Sequence, residues 1–373
     1  MKKEKRKRWI IYSLILFLLY FFIFPYPIGK ELVFRPKKVH NLHSYKPVTE
    51  ISEAREIKWF RNGDFFGYID ENGDIIYLDS SWYNVTVSSR GFINYSSIQG
   101  TNQNLVFFDP SGNIKSSIQT PGYPLLDDSG ERLFIIKTDA TGLKEITVEG
   151  GELWSASFTS LLTSLSSSTE YTLLGLLNGF LKLFDKQGNC IYSISTAKDK
   201  PSVVYGTAIS NRGKEIAAIY GINPQRLFFT RQKNLKFTKP VMKDIDSSFK
   251  TSIFMDFSSD NRCLFFPGNK KLNTMDFNNN KLFSIPLNGS FSGLSSNEES
   301  GVVAVLANDK TLLNDKTSSS DSKKNHEVVI FKPFDLVFLK LLFKADKSFV
   351  RFMYDFLVLG IDENILIIDL LEI

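Results

Sequence analysis

The sequence predicts an all-β domain built from one small sheet that is repeated about eight times. Two short patterns recur along the chain at intervals of about 40 residues. The first is a polar turn followed by an apolar run, as in Ser210-Asn-Arg-Gly213 before Ile216–Tyr220. The second is a strand that ends in an acidic tight turn, as in Leu183-Phe-Asp-Lys-Gln-Gly188. Helical periodicity is absent after residue 30.

From Ile57 onward, the units align in the order inner strand, second strand, third strand and outer strand. Repeats of this length, each able to form a four-stranded sheet, predict a single β-propeller. Eight units are counted; because the first is short, seven blades remain the alternative. The polar turns assigned after the inner strands lie near residues 62, 90, 128, 167, 211, 259, 297 and 346.

The outer strand has its own signature of an apolar residue, an aromatic residue and Ser. The last unit stops after its third strand, Ile365–Leu371. A strand from residues 30–56, near Leu32–Phe34 or Tyr45–Ile51, would close the ring and remove the exposed sheet edges. The outer-strand segments are Leu153-Trp-Ser-Ala-Ser, Ile191-Tyr-Ser-Ile-Ser and Leu282-Phe-Ser-Ile-Pro.

A hydrophobic segment follows a basic tail at the N-terminus. Residues 1–8 contain six Lys and Arg residues and one Glu, and residues 9–24 carry no charge. With the Pro-Tyr-Pro flank, residues 9–28 reach the short end of what spans a bilayer as a helix. We predict a single-pass transmembrane signal anchor over 9–28, with residues 1–8 in the cytoplasm and the remainder extracytoplasmic. A cleaved signal peptide is the alternative, although the flank lacks a small-residue cleavage site.

The net positive charge belongs to that tail. The formal net charge is +5, whereas residues 9–373 carry 39 basic and 39 acidic side chains. A balanced body lacks the bulk electrostatics needed to neutralise phosphates, so we expect no nucleic-acid partner.

Two other segments bear on the surface and on redox state. The polar low-complexity stretch Asn308–Asn325 is expected to lengthen a hairpin as a surface loop. Cys190 and Cys263 lie in apolar strands of different repeats, which predicts two buried free thiols and no disulfide.

The three histidines are poorly placed for chemistry. His40 and His43 lie in the segment before the propeller, where a metal site would lack rigid support. His326 borders the low-complexity stretch. No His is expected within the blades, so a Ser–His–Asp triad or a His-built metal site is not predicted there.

Most recurring carboxylates stand in the tight turns, where Asp accepts hydrogen bonds from turn amides, and we interpret them as structural. The turn Asp70-Glu-Asn-Gly-Asp74 resembles an acidic calcium loop but lacks the length and the distal Glu, so it is predicted as a hairpin turn. A glycosidase-like pair of carboxylates stays open. No catalytic, cofactor-binding or metal-ligating residue and no cofactor is assigned. The turn carboxylates are Asp70, Asp109, Asp127, Asp185, Asp256 and Asp276.

The repeats resemble those of WD40-like and PQQ-like (quinoprotein-type) propellers. Ser210-Asn-Arg-Gly-Lys-Glu-Ile-Ala217 is similar to the Ser-Pro-Asp-Gly-Lys-x-Leu-Ala element of the first class. Gly179-Phe-Leu-Lys-Leu-Phe-Asp-Lys-Gln-Gly188 and Trp154 resemble the strand, Asp-x-x-Gly turn and docking Trp of the second. The resemblance covers residues 57–373, but no Trp-Asp dipeptide occurs and only Trp154 keeps the docking Trp. It implies a fold and no particular chemistry.

These observations lead to an expected function. The strong Phe, Ile, Lys and Asn usage is compatible with an AT-rich bacterial genome, so we expect a propeller in the periplasm, anchored to the inner membrane. There it is predicted to act as a non-enzymatic scaffold for a protein partner of the cell envelope. The alternative is an envelope enzyme or a ligand-binding sensor with its site at the propeller channel. Carboxylates or Arg residues gathered at the channel would favour the alternative, and an exposed apolar patch would favour docking.

Overall fold

The computed structural model describes residues 32–45, 56–81, 84–96, 103–196, 201–234, 236–309, 323–334 and 337–372. Within these ranges the chain forms 32 β-strands and no α-helix. None of the segments described is a helix with the length and apolarity needed to cross a membrane. The predicted cytoplasmic tail (1–8) and transmembrane segment (9–28) lie outside the described residues.

The strands form eight antiparallel sheets, here called blades 1 to 8 in chain order, which confirms an all-β propeller and selects eight blades over seven. The first strand, β1 (Leu32–Asn41), belongs to the last blade. Blades 1 to 4 comprise β2 (Ile57–Asn62), β3 (Phe65–Asp70) and β4 (Ile75–Ser80); β5 (Asn84–Ser88), β6 (Gly91–Tyr95), β7 (Gln103–Phe108) and β8 (Ile114–Thr120); β9 (Tyr123–Leu126), β10 (Leu133–Ile136), β11 (Gly142–Ile146) and β12 (Glu152–Ser157); and β13 (Leu162–Ser167), β14 (Tyr171–Leu176), β15 (Phe180–Asp185) and β16 (Cys190–Ser195).

Blades 5 to 8 complete the ring, and in blade 5 two short strands share the outer position. These blades comprise β17 (Val204–Ile209), β18 (Glu215–Tyr220), β19 (Arg226–Lys233), β20 (Lys236–Phe237) and β21 (Val241–Asp244); β22 (Asp256–Phe257), β23 (Cys263–Gly268), β24 (Lys271–Asp276) and β25 (Lys281–Pro286); β26 (Ser290–Ser296), β27 (Val303–Asn308), β28 (Lys324–Phe331) and β29 (Val337–Ala345); and β30 (Ser348–Met353), β31 (Phe356–Ile361) and β32 (Asn364–Glu372) with β1.

The position of a strand within its blade decides how much of it is buried. The second strand β31 is a continuous apolar run because neighbouring blades cover both of its faces, and its first five residues are all buried. The outer strands lie at the rim, and five of the six residues of β25 are exposed. The hydrophobic core is therefore a ring of eight clusters in the described chain, one between each pair of adjacent blades.

The ring closes through both ends of the chain. β1 pairs with β32 from Leu32↔Glu372 to Asn41↔Asn364, so the segment before Ile57 supplies the outer strand of blade 8. Ile365 and Ile367 of blade 8 pack against Phe60 of blade 1 in the hydrophobic cluster between these two blades. The other predicted strand position, Tyr45–Ile51, lies almost wholly outside the described residues.

Blade 1 corrects the predicted alignment of the first unit. Its β2–β3 turn contacts the segment where β30 begins and the β31–β32 turn: Lys347 Nζ is 2.5 Å from Asp64 Oδ2, and Asn62 Nδ2 donates to the Asp362 carbonyl at 2.5 Å. We call the face of the ring that carries these contacts the upper face. In blade 8 the turn on this face, between β31 and β32, joins the second strand to the third, so the β2–β3 turn on the same face also joins a second strand to a third. β2 is therefore a second strand, whereas the prediction that Ile57 begins an inner strand was wrong.

The last predicted turn position was also wrong. The turn after the innermost strand β30 is Tyr354–Asp355, on the opposite, lower face, whereas residue 346 precedes β30 on the upper face. Both errors have one cause. Short polar turns occur on both faces of a propeller, and their composition does not identify which pair of strands they join. The low-complexity stretch runs from the last residue of β27 to the second residue of β28, so it connects two paired strands as predicted; residues 310–322 are not among those described.

Candidate functional site

The turn carboxylates have the structural role predicted for them, with one exception. Asp109 Oδ1 accepts the amides of Ser111 and Asn113 at 3.0 and 2.9 Å. Asp185 does the same with Gln187 and Asn189. Partial burial opposes ionisation of both carboxyls, but these hydrogen bonds together lower their pKa values. The same arrangement of carboxylate and turn amides recurs at Asp70, Asp127 and Asp276.

Asp256 is the exception. It was predicted to stand in a turn, but it is the first residue of β22, the innermost strand of blade 6. In the described chain its carboxylate accepts one hydrogen bond, from the Phe257 amide at 2.8 Å, and joins no ion pair. Water reaches the side chain, yet the surrounding blades enclose it. Desolvation by the enclosing blades raises the pKa of Asp256 to about 7, although the side chain stays exposed to channel water; the Phe257 amide opposes the shift and the charge of Asp128 adds to it.

The Asp256 side chain opens into a cavity of about 470 Å³ along the inner strands of blades 3 to 6. Apolar side chains such as Leu125, Leu165 and Phe254 form much of its wall. Hydroxyl groups line the middle of the wall, where Ser164 Oγ and Thr207 Oγ1 are 2.8 Å apart. The cavity therefore combines apolar walls, hydroxyls and two carboxylates, of Asp128 and Asp256.

Arg351 brings a positive charge to the same channel. It lies on β30 of blade 8, and its Nη2 is 3.4 Å from Asp128 Oδ2 of blade 3. Because blades 3 and 8 are not neighbours, this contact crosses the channel. The Arg351 guanidinium also stacks on Trp59 of blade 1, with Cζ 3.9 Å from the ring centroid. The sequence did not indicate this group, because its members belong to three separate repeats.

The histidines are placed differently from the prediction. His326 lies within blade 7, on β28, and is buried. Its Nε2 is 2.9 Å from the Ala345 carbonyl, so it carries the proton and Nδ1 accepts from Ser348 Oγ at 2.7 Å. The expectation that no His lies among the blades was wrong. This Ser–His contact has a backbone carbonyl in place of a carboxylate, and it fastens the start of β30 to blade 7.

His40 and His43 bond to different partners. His40 Nε2 is 2.8 Å from the Gly73 carbonyl, and His43 Nε2 is 2.9 Å from Glu363 Oε1. Each ring therefore joins the β1 segment to a turn. No group of three or more His, Cys, Asp or Glu side chains suited to hold a metal ion occurs in the residues described.

The two cysteines differ in exposure. Both are free thiols; Cys263 is buried as predicted, whereas Cys190 is exposed and that part of the prediction was wrong. Cys190 begins the outer strand β16, and the rim position leaves it open to solvent. An apolar run alone does not distinguish an outer strand from a middle one.

An exposed apolar surface lies at the rim of blades 6 and 7, and we call it the aromatic edge. The rings of Phe283 and Phe334 pack edge to face with centroids 4.8 Å apart, and Arg262 Cζ is 5.1 Å from the Phe334 centroid. Phe334 has a φ of 65°, which strains a bulky residue. The aromatic edge consists of Phe283 and Phe334, which are 42% and 37% exposed.

Eight antiparallel blades around one channel define this molecule as a β-propeller. The chain belongs to the family described as beta-propeller protein, whose family model matches residues 1–373. It is 20% identical over 313 residues to an uncharacterized protein of Treponema pallidum (strain Nichols), covering 82% of each chain. It is also similar to the crystal structure of BamB from Moraxella catarrhalis, with a TM-score of 0.55 and 10% identity over 90% of this chain and 100% of that one. At this identity, the structural likeness concerns the fold alone.

Proposed function

We propose that this protein is a membrane-anchored propeller of the cell envelope that binds a partner protein as a non-enzymatic scaffold. The observation that carries the proposal is the aromatic edge. Single exposed apolar residues are ordinary on protein surfaces, but adjoining aromatic side chains at one rim are typical of interaction sites.

The chemistry of the aromatic edge suits protein binding. Phe283 and Phe334 present large apolar area at a small cost in side-chain entropy, and Arg262 adds a cation beside them. Aromatic and Arg residues dominate the binding energy of many interfaces. The strained backbone at Phe334 is consistent with a residue retained for its contacts outside the fold.

The envelope location is a separate part of the proposal. It rests on the hydrophobic segment 9–28, which follows a basic tail. This pattern predicts an N-terminus in the cytoplasm and a propeller on the periplasmic side of the inner membrane. A topology reporter fused after Ile373 tests it. We expect an alkaline phosphatase fusion to be active and a green fluorescent protein fusion exported by the same route to be dark; the reverse pattern would contradict the periplasmic location.

Crosslinking in intact cells tests the scaffold role. The full chain is expected to capture one partner in stoichiometric yield, and a chain limited to residues 1–56 is expected to capture none. Phe283→Ser should reduce capture at least tenfold. Leu153→Ser, which changes an exposed apolar residue on the outer strand of blade 3, should leave it unchanged. Equal capture by the two variants would contradict a role for the aromatic edge.

A ligand site in the channel is the second candidate function. Asp128, Asp256 and Arg351 gather there around a cavity, which is the arrangement expected of a sensor or an enzyme. Thermal-shift screening of small polar ligands tests it. We expect a ligand that raises the Tm of the wild-type protein and fails to raise that of Asp256→Asn. Ligands that shift both proteins equally would place their binding elsewhere.

A further inference from the structure

We propose that β25, the outer strand of blade 6, is a strand-addition site that binds an extended acidic segment of the partner. This inference rests on the proposed scaffold function and specifies the chemistry of the partner. An extended peptide that joins a sheet edge gains main-chain hydrogen bonds, while its alternate side chains fill adjoining pockets.

Among the outer strands described, β25 is the one whose pairing with its neighbour is long and uninterrupted. It pairs with β24 through six consecutive residue pairs, from Lys271↔Pro286 to Asp276↔Lys281, without a register shift. Every other outer strand is interrupted, and a bulge or break protects an edge from pairing with another chain. β4, β8, β12, β16, β29 and β1 each contain a register shift, and the outer position of blade 5 is divided between β20 and β21.

The hydrogen-bonding groups of this edge can be assigned from its pairing. The Leu287 amide donates to the Lys270 carbonyl at 2.9 Å, so the backbone N–H and C=O groups of Leu287 point toward the β24 side. Backbone hydrogen-bonding groups alternate in direction along a strand. The N–H and C=O groups of Ile285, Phe283 and Lys281 therefore also point toward β24. Leu282 and Ser284 therefore direct their N–H and C=O groups outward, and no described strand pairs with that side.

The side chains of β25 offer apolar contact on both sides of an added strand. Ile285 packs into the core between blades 6 and 7, so Phe283, two residues away, faces the same side and meets Phe334. Leu282 points to the side of blade 5 and is 44% exposed. An added strand with apolar residues at alternate positions would extend both contacts.

The charge around β25 selects an acidic occupant. The Lys243 ammonium donates to the Asn280 carbonyl, directly before β25 begins. The single carboxylate among the outer strands of blades 5 to 7 is Asp244, and Arg226 neutralises it at 2.7 Å. A second copy of this chain would bring like charges together across the edge, which disfavours it as the occupant. The cations of these outer strands are Lys236, Lys243, Lys281, Lys340 and Lys344, of which Lys340 pairs with Glu327 of β28 at 3.9 Å.

A proline at the edge tests the inference directly. Ser284→Pro removes an outward N–H without removing a bond to β24, so the blade should remain folded. Ser193→Pro is the matched control, because Ser193 occupies the equivalent position on β16, an outer strand that contains a bulge. The Thr196 amide donates to the Gly179 carbonyl, so by alternation the N–H of Ser193 also points outward. Ser284→Ala controls for loss of the Ser284 bond to Asn273 Oδ1. Melting temperatures verify that all three variants fold.

The first assay crosslinks the full chain in cells through a photoreactive residue at position 282. We expect the wild-type protein to join an extended, acidic segment of the partner, mapped by mass spectrometry, and Ser284→Pro to reduce the yield about tenfold. Both control variants should keep it. Capture of a partner that Ser284→Pro leaves unchanged would overturn the strand-addition site and retain the scaffold. Absence of a partner crosslinked at position 282 would overturn the strand-addition site, whereas the general crosslinking of the full chain described above decides the scaffold role. A homodimeric product would overturn the acidic partner.

The second assay uses a defined probe on the purified full chain. A capped hexapeptide of alternating Asp and Val should slow hydrogen exchange of the Leu282 and Ser284 amides. The same peptide with Lys in place of Asp should require at least tenfold higher concentration for the same effect. Equal protection by the two peptides would overturn the acidic preference, and protection of neither amide by the Asp peptide would overturn the strand-addition site.

Discussion

Arg132 and Glu145 form a buried ion pair joined at two points, and it fastens blade 3 to blade 4. Arg132 Nε and Nη2 donate to Glu145 Oε1 and Oε2 at 2.8 and 2.5 Å. Both residues are 2% exposed. Arg132 Nη1 reaches blade 4, where it donates to the carbonyls of Ser168 and Tyr171 at 2.9 and 2.8 Å. Trp154 Nε1 completes the group by donating to Glu145 Oε2 at 2.6 Å.

Glu145→Gln is expected to lower the free energy of unfolding by about 3–5 kcal/mol, because it leaves the Arg132 cation buried without its counter-charge. Urea unfolding followed by fluorescence measures the change. Glu131→Gln is the matched control, since Glu131 pairs with Arg90 at 3.0 Å on the surface and its loss should cost less than about 1 kcal/mol. Similar losses in the two variants would contradict the role assigned to the buried pair.

Ring closure by β1 predicts a sharp boundary in truncation experiments. Removal of residues 1–31 leaves β1 intact and should not change the Tm of the propeller. Removal of residues 1–41 exposes the edge of β32 and uncovers Leu366 and Leu370, which pack in the core of blades 7 and 8. We expect this longer truncation to lower the Tm by on the order of 10 °C. Equal melting of the two truncated chains would show that β1 does not hold the ring closed.

The raised pKa of Asp256 predicts a pH-dependent stability of defined sign. A carboxyl with a higher pKa in the folded state binds its proton more tightly there, so the free energy of unfolding falls as pH rises from about 4 to about 7. Asp256→Asn removes this loss. The variant should exceed the wild-type protein in stability at pH 8 by about 1 kcal/mol, a value reduced for screening by channel water, and the difference should narrow toward pH 4.

Asp109→Asn supplies the control of opposite sign for urea unfolding at pH 5 and pH 8. The pKa of Asp109 is lowered in the folded protein, so its charge stabilises the fold above the ordinary carboxyl pKa and this contribution is lost as pH falls. Asp109→Asn should therefore destabilise the protein at pH 8. An Asp256→Asn variant that is also destabilised at pH 8 would contradict the enclosed position of the Asp256 carboxyl.

The two thiols are expected to react at very different rates. Cys190 is exposed and should react with an aromatic disulfide reagent in the native protein. Cys263 is buried, and burial raises its pKa to about 12, so its thiolate is scarce and inaccessible. Titration should count one thiol in the native protein and two in 6 M guanidinium chloride. Cys190→Ser should abolish the native reaction, and a persistent native signal would place Cys263 within reach of the reagent.

The repeated turns made the fold readable from the sequence. Asp185-Lys-Gln-Gly188 forms the tight turn predicted for it because the Asp185 carboxylate accepts nearby amides and Gly188 takes a φ of 82°. These interactions are local, so a short window of sequence contains all their partners. The outer strands at Leu153, Ile191 and Leu282 were likewise predicted correctly, since each follows such a turn.

The errors, in contrast, concern properties that depend on residues far away in the chain. Asp256 was assigned to a turn, Cys190 to the interior and β2 to an inner strand, because a residue's distance from the channel or the rim is a property of the ring. The alternation of apolar residues indicates which residues share a face of a strand, but it does not indicate which blade covers that face. His326 illustrates the same point: its partner Ser348 lies in the next blade.

The sequence by itself determined the β-strands, their turns and the repeat that generates a propeller, since these depend on neighbours in the chain. Only the tertiary structure decided that eight blades close through β1, that Asp128, Asp256 and Arg351 meet in one channel, and that β25 remains an unbroken edge. The reason is that a closed ring brings together residues from separate repeats. Those contacts depend on the number of blades and on their register, which no single repeat specifies.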